Sequence, residues 1–130
     1  MKRYSMVGTL SLSLLLTGLS FGAQNRWELL GRQEVDSRRD HDRINVGRRD
    51  GRFRQLQIRV QGGSIEMNKM VVTFDNDETF SPQLRRRFEQ GSESHVIDLP
   101  GKRRAIKRID FNYRSVNRRD GKGTVAVYGR

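Results

Sequence analysis

The sequence predicts an all-β protein, a single-domain antiparallel β-sandwich with a barrel-like closure as the alternative. Apolar and polar residues alternate in five short segments, which indicates strands with one buried face and one solvated face. Turn-forming residues separate these segments. The chain is too short for a second domain, since a leader at residues 1–23 leaves 107 of its 130 residues.

The strand segments follow one another at intervals typical of hairpins and short connections. Their apolar positions are, in order, Ile44 and Val46; Leu56, Ile58 and Val60; Met70, Val72 and Phe74; Ile109, Phe111 and Tyr113; and Val125 and Val127. The turns between them are Asp50-Gly51, Gly62-Gly63, Asp75-Asn76-Asp77, Pro100-Gly101 and Asp120-Gly121. We therefore expect these apolar side chains to form one core.

Residues 81–91 fit two structures. Ser81-Pro82 resembles a helix start, Leu84 and Phe88 are four residues apart, and Gly91 resembles a helix end. Only two apolar residues support that helix, so we favour an irregular strand and keep a short helix as the alternative.

The first residues are typical of a secretion signal. Lys2 and Arg3 precede an apolar run from Met6 to Leu19, and small residues follow it. Ser20-Phe21-Gly22 fits the small-x-small pattern, so we expect cleavage near residues 22–23 and a folded domain at 24–130. An uncleaved membrane anchor is the alternative, although the run is shorter than the ~20 residues that span a bilayer. The predicted location is the periplasm or the exterior of the cell.

The two halves of the mature chain, 24–76 and 77–129, resemble each other. A shift of 53 residues without gaps aligns ten apolar pairs, where about five would align by chance. The pairs include Ile44 on Ile97, Leu56 on Ile109, Ile58 on Phe111, Val72 on Val125 and Phe74 on Val127. A two-fold pseudo-repeat is one interpretation; the alternation common to any two β-rich halves is the other.

A break in the strand alternation occurs in both halves. Phe53 and Leu56 are three residues apart, as are Ile106 and Ile109, although alternation requires two. One extra residue in a strand predicts a β-bulge at each place.

Several strings resemble a known family. They are Trp27-Glu28-Leu29-Leu30-Gly31, Val71-Val72-Thr73-Phe74, IDLPGKRRAIKRIDFNY at 97–113 and VAVYG at 125–129. Together they resemble domain-of-unknown-function family 2541, a group of small secreted bacterial β proteins. The resemblance implies an exported β protein and no catalytic residue. Some relatives carry a cysteine pair, whereas this chain has no cysteine.

Arginine is the strongest compositional signal. Without the leader, 24 basic and 15 acidic residues give a charge of +9, and 20 of the basic residues are arginines. Arginine presents a planar fork that matches phosphate, sulfate and carboxylate. We predict an anion-binding rim formed by three basic turns: Arg48, Arg49 and Arg52; Lys102, Arg103 and Arg104; and Arg118 and Arg119. The alternative is a solvated surface whose charge serves only solubility.

Other site chemistries have little support. His41 lies within Asp40-His41-Asp42, but neighbouring strand residues point to opposite faces, so we predict no metal site there or at His95. The acidic string from Asp75 to Glu78 lacks the length and glycine of an EF-hand loop, which favours a hairpin turn. No nucleophile motif, cofactor motif or nucleic-acid-binding motif occurs.

The sequence therefore predicts an exported, non-enzymatic binding module for an anionic envelope polymer or lipid head group, with no cofactor. A structural or protein-interaction module without a polyanion ligand is the second interpretation. A cell-wall hydrolase is the third.

Overall fold

The computed structural model describes residues 26–35, 41–115 and 122–130, and these ranges form strands and turns. The strands are β1 (Glu28–Glu34), β2 (His41–Asn45), β3 (Arg52–Phe53), β4 (Gln55–Gln61), β5 (Ile65–Phe74), β6 (Thr79–Phe80), β7 (Arg86–Phe88), β8 (Ile97–Asp98), β9 (Arg104–Ser115) and β10 (Thr124–Gly129). One 3-10 turn, Arg48–Asp50, lies between β2 and β3, and no α-helix occurs in the described ranges. The predicted leader lies outside them.

The described strands form two open antiparallel sheets. The first has the order β1-β10-β4-β8, and the second has the order β2-β9-β5-β6, with β3 paired to β9 and β7 paired to β5. Side chains from both sheets share one hydrophobic core. The predicted β-sandwich is confirmed, and the barrel-like alternative is wrong because the sheets remain separate.

The predicted alternation places the expected residues in the core. Leu56, Ile58 and Val60 of β4 are fully buried, and so are Ile109 and Phe111 of β9. Each of these side chains leaves water for a packed interior, which is the dominant favourable contribution to folding. Val46, at the end of its segment, is only half-buried.

Residues 81–91 form an irregular segment followed by a short strand. Residues 81–85 have no regular structure, and Arg86–Phe88 then pairs with β5 as β7. Leu84 and Phe88 both reach the core, at 2% and 0% exposure. The favoured irregular strand is confirmed, and the helical alternative is wrong.

The two sheets have related strand orders. Under the 53-residue shift, β2 corresponds to β8 and β4 to β9. Ile44 lies opposite Ile109 in the β2–β9 pair, and the shifted residues Ile97 and Leu56 lie opposite each other in the β8–β4 pair. The backbone bond from Val46 N to Lys107 O likewise corresponds to the bond from Leu99 N to Arg54 O.

The last strand of each half departs from the ungapped shift. Val127 of β10 lies opposite Ile58, whereas Met70 of β5 lies opposite Phe111. The shift would place Phe74 there, four residues further along. The ungapped 53-residue shift therefore relates β2 to β8 and β4 to β9, but not β5 to β10. The pseudo-repeat as a whole stays a prediction.

The break in alternation has a structural counterpart in both halves. Thr73 lies opposite Arg108 and Phe74 opposite Ile106, so Lys107 is the additional residue of β9, and the predicted bulge is confirmed there. In the first half, Arg54 interrupts the chain between β3 and β4. Arg54 and Lys107 are also 53 residues apart. A bulge redirects a side chain from the regular face, which matters for Arg54 below.

Gly31, the last residue of the Trp27–Gly31 string, packs where the two sheets approach. A Cβ atom at this position would clash with Cγ2 of Ile44. Only glycine therefore lets β1 lie so close to β2.

Across residues 26–35, 41–115 and 122–130, no helix is long and apolar enough to cross a membrane.

Candidate anion-binding site

Two of the three predicted basic turns meet through β3 and β9. Arg52 lies opposite Ala105, and Phe53 lies opposite Arg104. This ladder places the turn that contains Arg48 and Arg49 beside the turn that contains Lys102 and Arg103. The third turn, with Arg118 and Arg119, lies outside the described residues.

Arg48 and Arg104 form ion pairs within the molecule. Arg48 Nε lies 2.5 Å from Asp75 Oδ2, and Arg104 Nη2 lies 2.8 Å from Glu78 Oε2. The Arg104 guanidinium also stacks 3.7 Å from the centre of the Phe74 ring, and its side chain is only 19% exposed. Both residues therefore stabilise the chain at the end of β5 rather than presenting an unpaired charge.

Residues 75–78 form the predicted hairpin turn between β5 and β6, in which Asp77 N donates to Phe74 O and Phe74 N donates to Glu78 O. The hydrogen bond from Lys107 and its positive charge hold the pKa of Asp77 below its usual range. The hydrogen bond from Arg104 and its charge do the same for the pKa of Glu78. The acidic turn is thus matched by cations of the protein itself.

The remaining described residues of the predicted rim are exposed. Arg49, Arg52, Lys102 and Arg103 have no carboxylate within ion-pair distance among the residues that the structure describes. Arg52 lines a small pocket of about 310 Å³ beside the Arg48–Asp75 pair. Arg103 lines a larger one.

The larger pocket has a volume of about 610 Å³ and is dominated by arginine. We call it the arginine pocket; its lining residues are Arg54, Gln55, Asp98, Leu99, Gly101, Arg103 and Arg130. The lining contains three arginines and one acidic side chain, that of Asp98. No ion pair involving Arg54, Arg103 or Arg130 occurs among the described residues.

Backbone hydrogen bonds assemble the arginine pocket from three distant segments. Arg54 N and Gln55 N donate to Arg130 O, at 2.8 and 3.0 Å. Leu99 N donates to Arg54 O at 2.9 Å, which places the 99–103 turn on the other side of the same residue. Arg54 therefore stands between the end of β10 and the turn before β9.

Side-chain contacts fix two groups in the arginine pocket. Gln55 donates to Asp98 Oδ1 and accepts from Arg130 Nε, with both distances 2.8 Å. The Arg130 guanidinium lies 4.4 Å from the centre of the Trp27 ring. Such stacking leaves the edge of a guanidinium available for a forked hydrogen bond with an anion.

Sequence reasoning identified Arg103 and missed Arg54 and Arg130. A signal existed for Arg54, because it is the residue that breaks the alternation between Phe53 and Leu56, and bulges often re-aim side chains at functional sites. The sequence contains no such signal for Arg130, because its place beside Arg54 depends on the pairing of β10 with β4.

His41 lies among polar side chains of the second sheet. His41 is exposed at the start of β2, where Nδ1 lies 2.7 Å from Asn112 Oδ1 and Nε2 lies 3.3 Å from Asp110 Oδ1. Asp42, the next residue, is buried, as the predicted alternation of faces requires. Among the described residues, no group of three or more His, Cys, Asp or Glu side chains is arranged to hold a metal ion.

The chain matches a known protein family over most of its length. The family described as Domain of unknown function (DUF2541) matches residues 9–129. The chain belongs to this family. The resemblance expected from the sequence is thereby confirmed, and the matched DUF2541 region contains every residue of the arginine pocket except Arg130.

Comparison with individual proteins adds two findings. No curated protein matches this DUF2541 chain. Among solved structures, it matches a structure of Pseudomonas aeruginosa AlgX with a TM-score of 0.49 and 10% sequence identity. The match covers 81% of this chain and 26% of the AlgX chain.

Proposed function

We propose that the protein is an exported, non-enzymatic binding module that holds an anionic polymer of the cell envelope in the arginine pocket. The observation that carries the proposal is the presence of three arginines around one pocket with a single acidic side chain. Like charges so placed repel one another, and a bound anion removes that repulsion. The lining is therefore better matched to an anion than to a neutral ligand.

The arrangement of the arginines supports binding rather than general solubility. Three neighbouring cations outside the arginine pocket are each paired with a carboxylate. The pairs are Arg48 with Asp75, Arg104 with Glu78, and Lys107 with Asp77. Lys107 corresponds to Arg54 under the 53-residue shift. The same position is thus neutralised in the second half of the chain, whereas in the first half it faces two further arginines.

The non-enzymatic part of the proposal rests on the pocket lining. Hydrolysis of a glycosidic bond generally requires two carboxyl groups on opposite sides of that bond. Asp98 is the one acidic side chain among the lining residues, and Gln55 donates to one of its oxygens. Export rests on the sequence pattern of residues 1–23.

The second candidate is a structural or protein-interaction module. Its specific support is that two members of the predicted rim, Arg48 and Arg104, already have carboxylate partners within the chain. In that case the remaining arginines serve solubility, and no polyanion binds at physiological salt.

A binding experiment with a matched control separates the two candidates. The probes are polygalacturonate and polyphosphate, with neutral dextran as a blank, at low and physiological salt. We expect polyanion binding that weakens as salt rises, because screening acts within about 8 Å at physiological ionic strength.

The test variant combines Arg54→Gln and Arg103→Gln, and the control combines Lys69→Gln and Arg85→Gln. All four side chains are exposed and without an ion pair in the described structure, so both variants lose the same charge. We expect the first variant to lose most of its polyphosphate binding and the control to retain it. Equal losses would indicate a general charge effect and favour the second candidate.

A further inference from the structure

The outer faces of the two sheets differ in their hydrogen bonding. On the second sheet, outward side chains bond to one another across the strands. Asp110 of β9 accepts from Arg43 Nε at 2.8 Å, and Arg114 donates to Glu66 at 2.9 Å. His41 and Asn112 are also within hydrogen-bond distance. Arg43 and Arg114 on this face are therefore paired with carboxylates of neighbouring strands.

In the first sheet, by contrast, no side-chain hydrogen bond joins β1 to β10 among the described residues. Its strand β4 presents Gln57, Arg59 and Gln61 where the 53-residue shift places Asp110, Asn112 and Arg114 in β9. A neutral amide at Gln57 thus replaces the carboxylate at the centre of the opposite face. A groove of about 410 Å³ crosses the outer face here. We call it the sheet groove; Arg32, Arg59, Gln61, Gly62, Thr124, Ala126 and Tyr128 line it.

Arg59 is held in place within the sheet groove. Its guanidinium lies 4.0 Å from the centre of the Tyr128 ring, and its Nε donates to Gln57 Oε1 at 3.2 Å. Nε also lies 3.7 Å from Glu93 Oε2. A guanidinium fixed by a stacked ring loses less freedom when it binds a ligand than a mobile one does.

Several other polar groups in the sheet groove have no hydrogen-bond partner among the described residues. The side chains of Arg32, Gln61, Thr124 and Tyr128 form no hydrogen bond to any described residue. Ala126 and Gly62, which have little or no side chain, lie between them in the lining. The groove therefore combines the Arg32 cation, unpaired among the described residues, and the Arg59 cation, whose Nε lies near Glu93, with an amide and two hydroxyl groups.

We propose that the sheet groove is a second binding site, separate from the arginine pocket, and that it takes an acidic saccharide chain. Arg32 and Arg59 supply forked donors for the carboxylate of the sugar. Gln61, Thr124 and Tyr128 supply groups that both donate and accept, as hydroxyl groups of a sugar ring require. Polyphosphate oxygens only accept hydrogen bonds, so polyphosphate would leave the acceptor atoms of these side chains without partners.

The test uses short galacturonate oligomers and isothermal titration of the mature protein. Arg32→Gln removes one charge-assisted contact and is expected to weaken binding at this site about tenfold. Tyr128→Phe removes only the hydroxyl group, keeps the ring beneath Arg59, and is expected to weaken binding about fivefold. Methyl-esterified oligomers, which lack the carboxylate, are expected to bind more weakly than the acid form.

One double variant distinguishes the sheet groove from the arginine pocket. The Arg54→Gln/Arg103→Gln variant is expected to retain oligomer binding in the groove, and polyphosphate is expected not to displace the oligomer from that variant. The exposed Arg85→Gln serves as the charge-matched control for Arg32→Gln. Unchanged thermal unfolding of Tyr128→Phe shows that the sheet is intact.

Three results would overturn the sheet-groove proposal. The first is equal oligomer affinity of the parent, Arg32→Gln and Tyr128→Phe. The second is equal binding of the acid and its methyl ester. The third is loss of all oligomer binding in the Arg54→Gln/Arg103→Gln variant, which would assign the saccharide to the arginine pocket alone. If the Arg54→Gln/Arg103→Gln variant loses polyphosphate binding and retains oligomer binding, the result supports two separate sites.

Discussion

Neighbouring arginines have opposite environments in this protein. Arg104 stacks on Phe74 and bonds to Glu78, whereas Arg103, one residue earlier, is exposed and lines the arginine pocket. The sequence places both in one basic turn and does not distinguish them. The difference arises because β9 begins at Arg104, whose side chain is then directed onto the end of β5.

This difference predicts unequal effects on stability. Arg104→Gln should lower the free energy of unfolding by about 1–2 kcal/mol, because it removes a partly desolvated cation–π contact and an ion pair. Arg103→Gln should change it by less than about 0.5 kcal/mol. Chemical denaturation of both variants measures this, and equal effects would contradict the environments described for the two side chains.

Core and surface residues should also separate clearly. Leu56→Ala and Phe111→Ala should each cost about 2–5 kcal/mol, since both side chains are fully buried and leave a cavity. Arg49→Ala should cost less than about 0.5 kcal/mol, because Arg49 is exposed without an ion pair. The same denaturation experiment tests these values. Similar losses in all three variants would mean that the inward and outward faces are assigned incorrectly.

At the scale of an element, the turn between β5 and β6 is stabilised by charge. The lowered pKa of Asp77 comes mainly from the Lys107 hydrogen bond, and that of Glu78 mainly from the Arg104 hydrogen bond. A carboxyl whose pKa is lowered by folding contributes stability above its usual pKa, and that contribution disappears as the pH falls through the lowered value. The turn should therefore loosen only in acid.

A titration followed by NMR tests the cause of the lowered pKa at Asp77. In Lys107→Gln, the pKa of the Asp77 carboxyl should rise toward its usual value, while that of Glu78 should change little because its partner is Arg104. Arg104→Gln should have the reverse effect. A lowered pKa of Asp77 that persists without Lys107 would assign the shift to another part of the turn.

The elements that could be predicted from the sequence are those with local signals. Alternation predicted β4, the end of β5, β9 and β10. The three-residue spacing of Ile106 and Ile109 predicted the bulge that the structure places at Lys107. The arginine pocket could not be predicted in the same way. Arg54, Arg103 and Arg130 are brought together by backbone bonds between distant strands, and no local pattern specifies that meeting.

At the scale of the whole molecule, the related strand orders predict matched energetics in the two sheets. Ile44 and Ile97 occupy shifted positions, are 4% and 2% exposed, and lie opposite Ile109 and Leu56. Ile44→Ala and Ile97→Ala should therefore destabilise the fold by similar amounts, about 2–5 kcal/mol each. A difference of more than about 2 kcal/mol, a large part of that range, would mean that the two positions are not equivalent in packing.

Export is the remaining prediction at this scale. The contacts described above involve residues from Trp27 onward, such as the stacking of Trp27 with Arg130. A chain that begins at Gln24 should consequently fold with the same unfolding midpoint as the protein isolated from cells. Intact mass measurement of the exported protein should show cleavage after Gly22 or Ala23, because small residues precede both bonds. Recovery of the full-length chain from the cytoplasm, with residues 1–22 still attached, would contradict export. It would also place the arginine pocket among intracellular polyanions rather than envelope polymers.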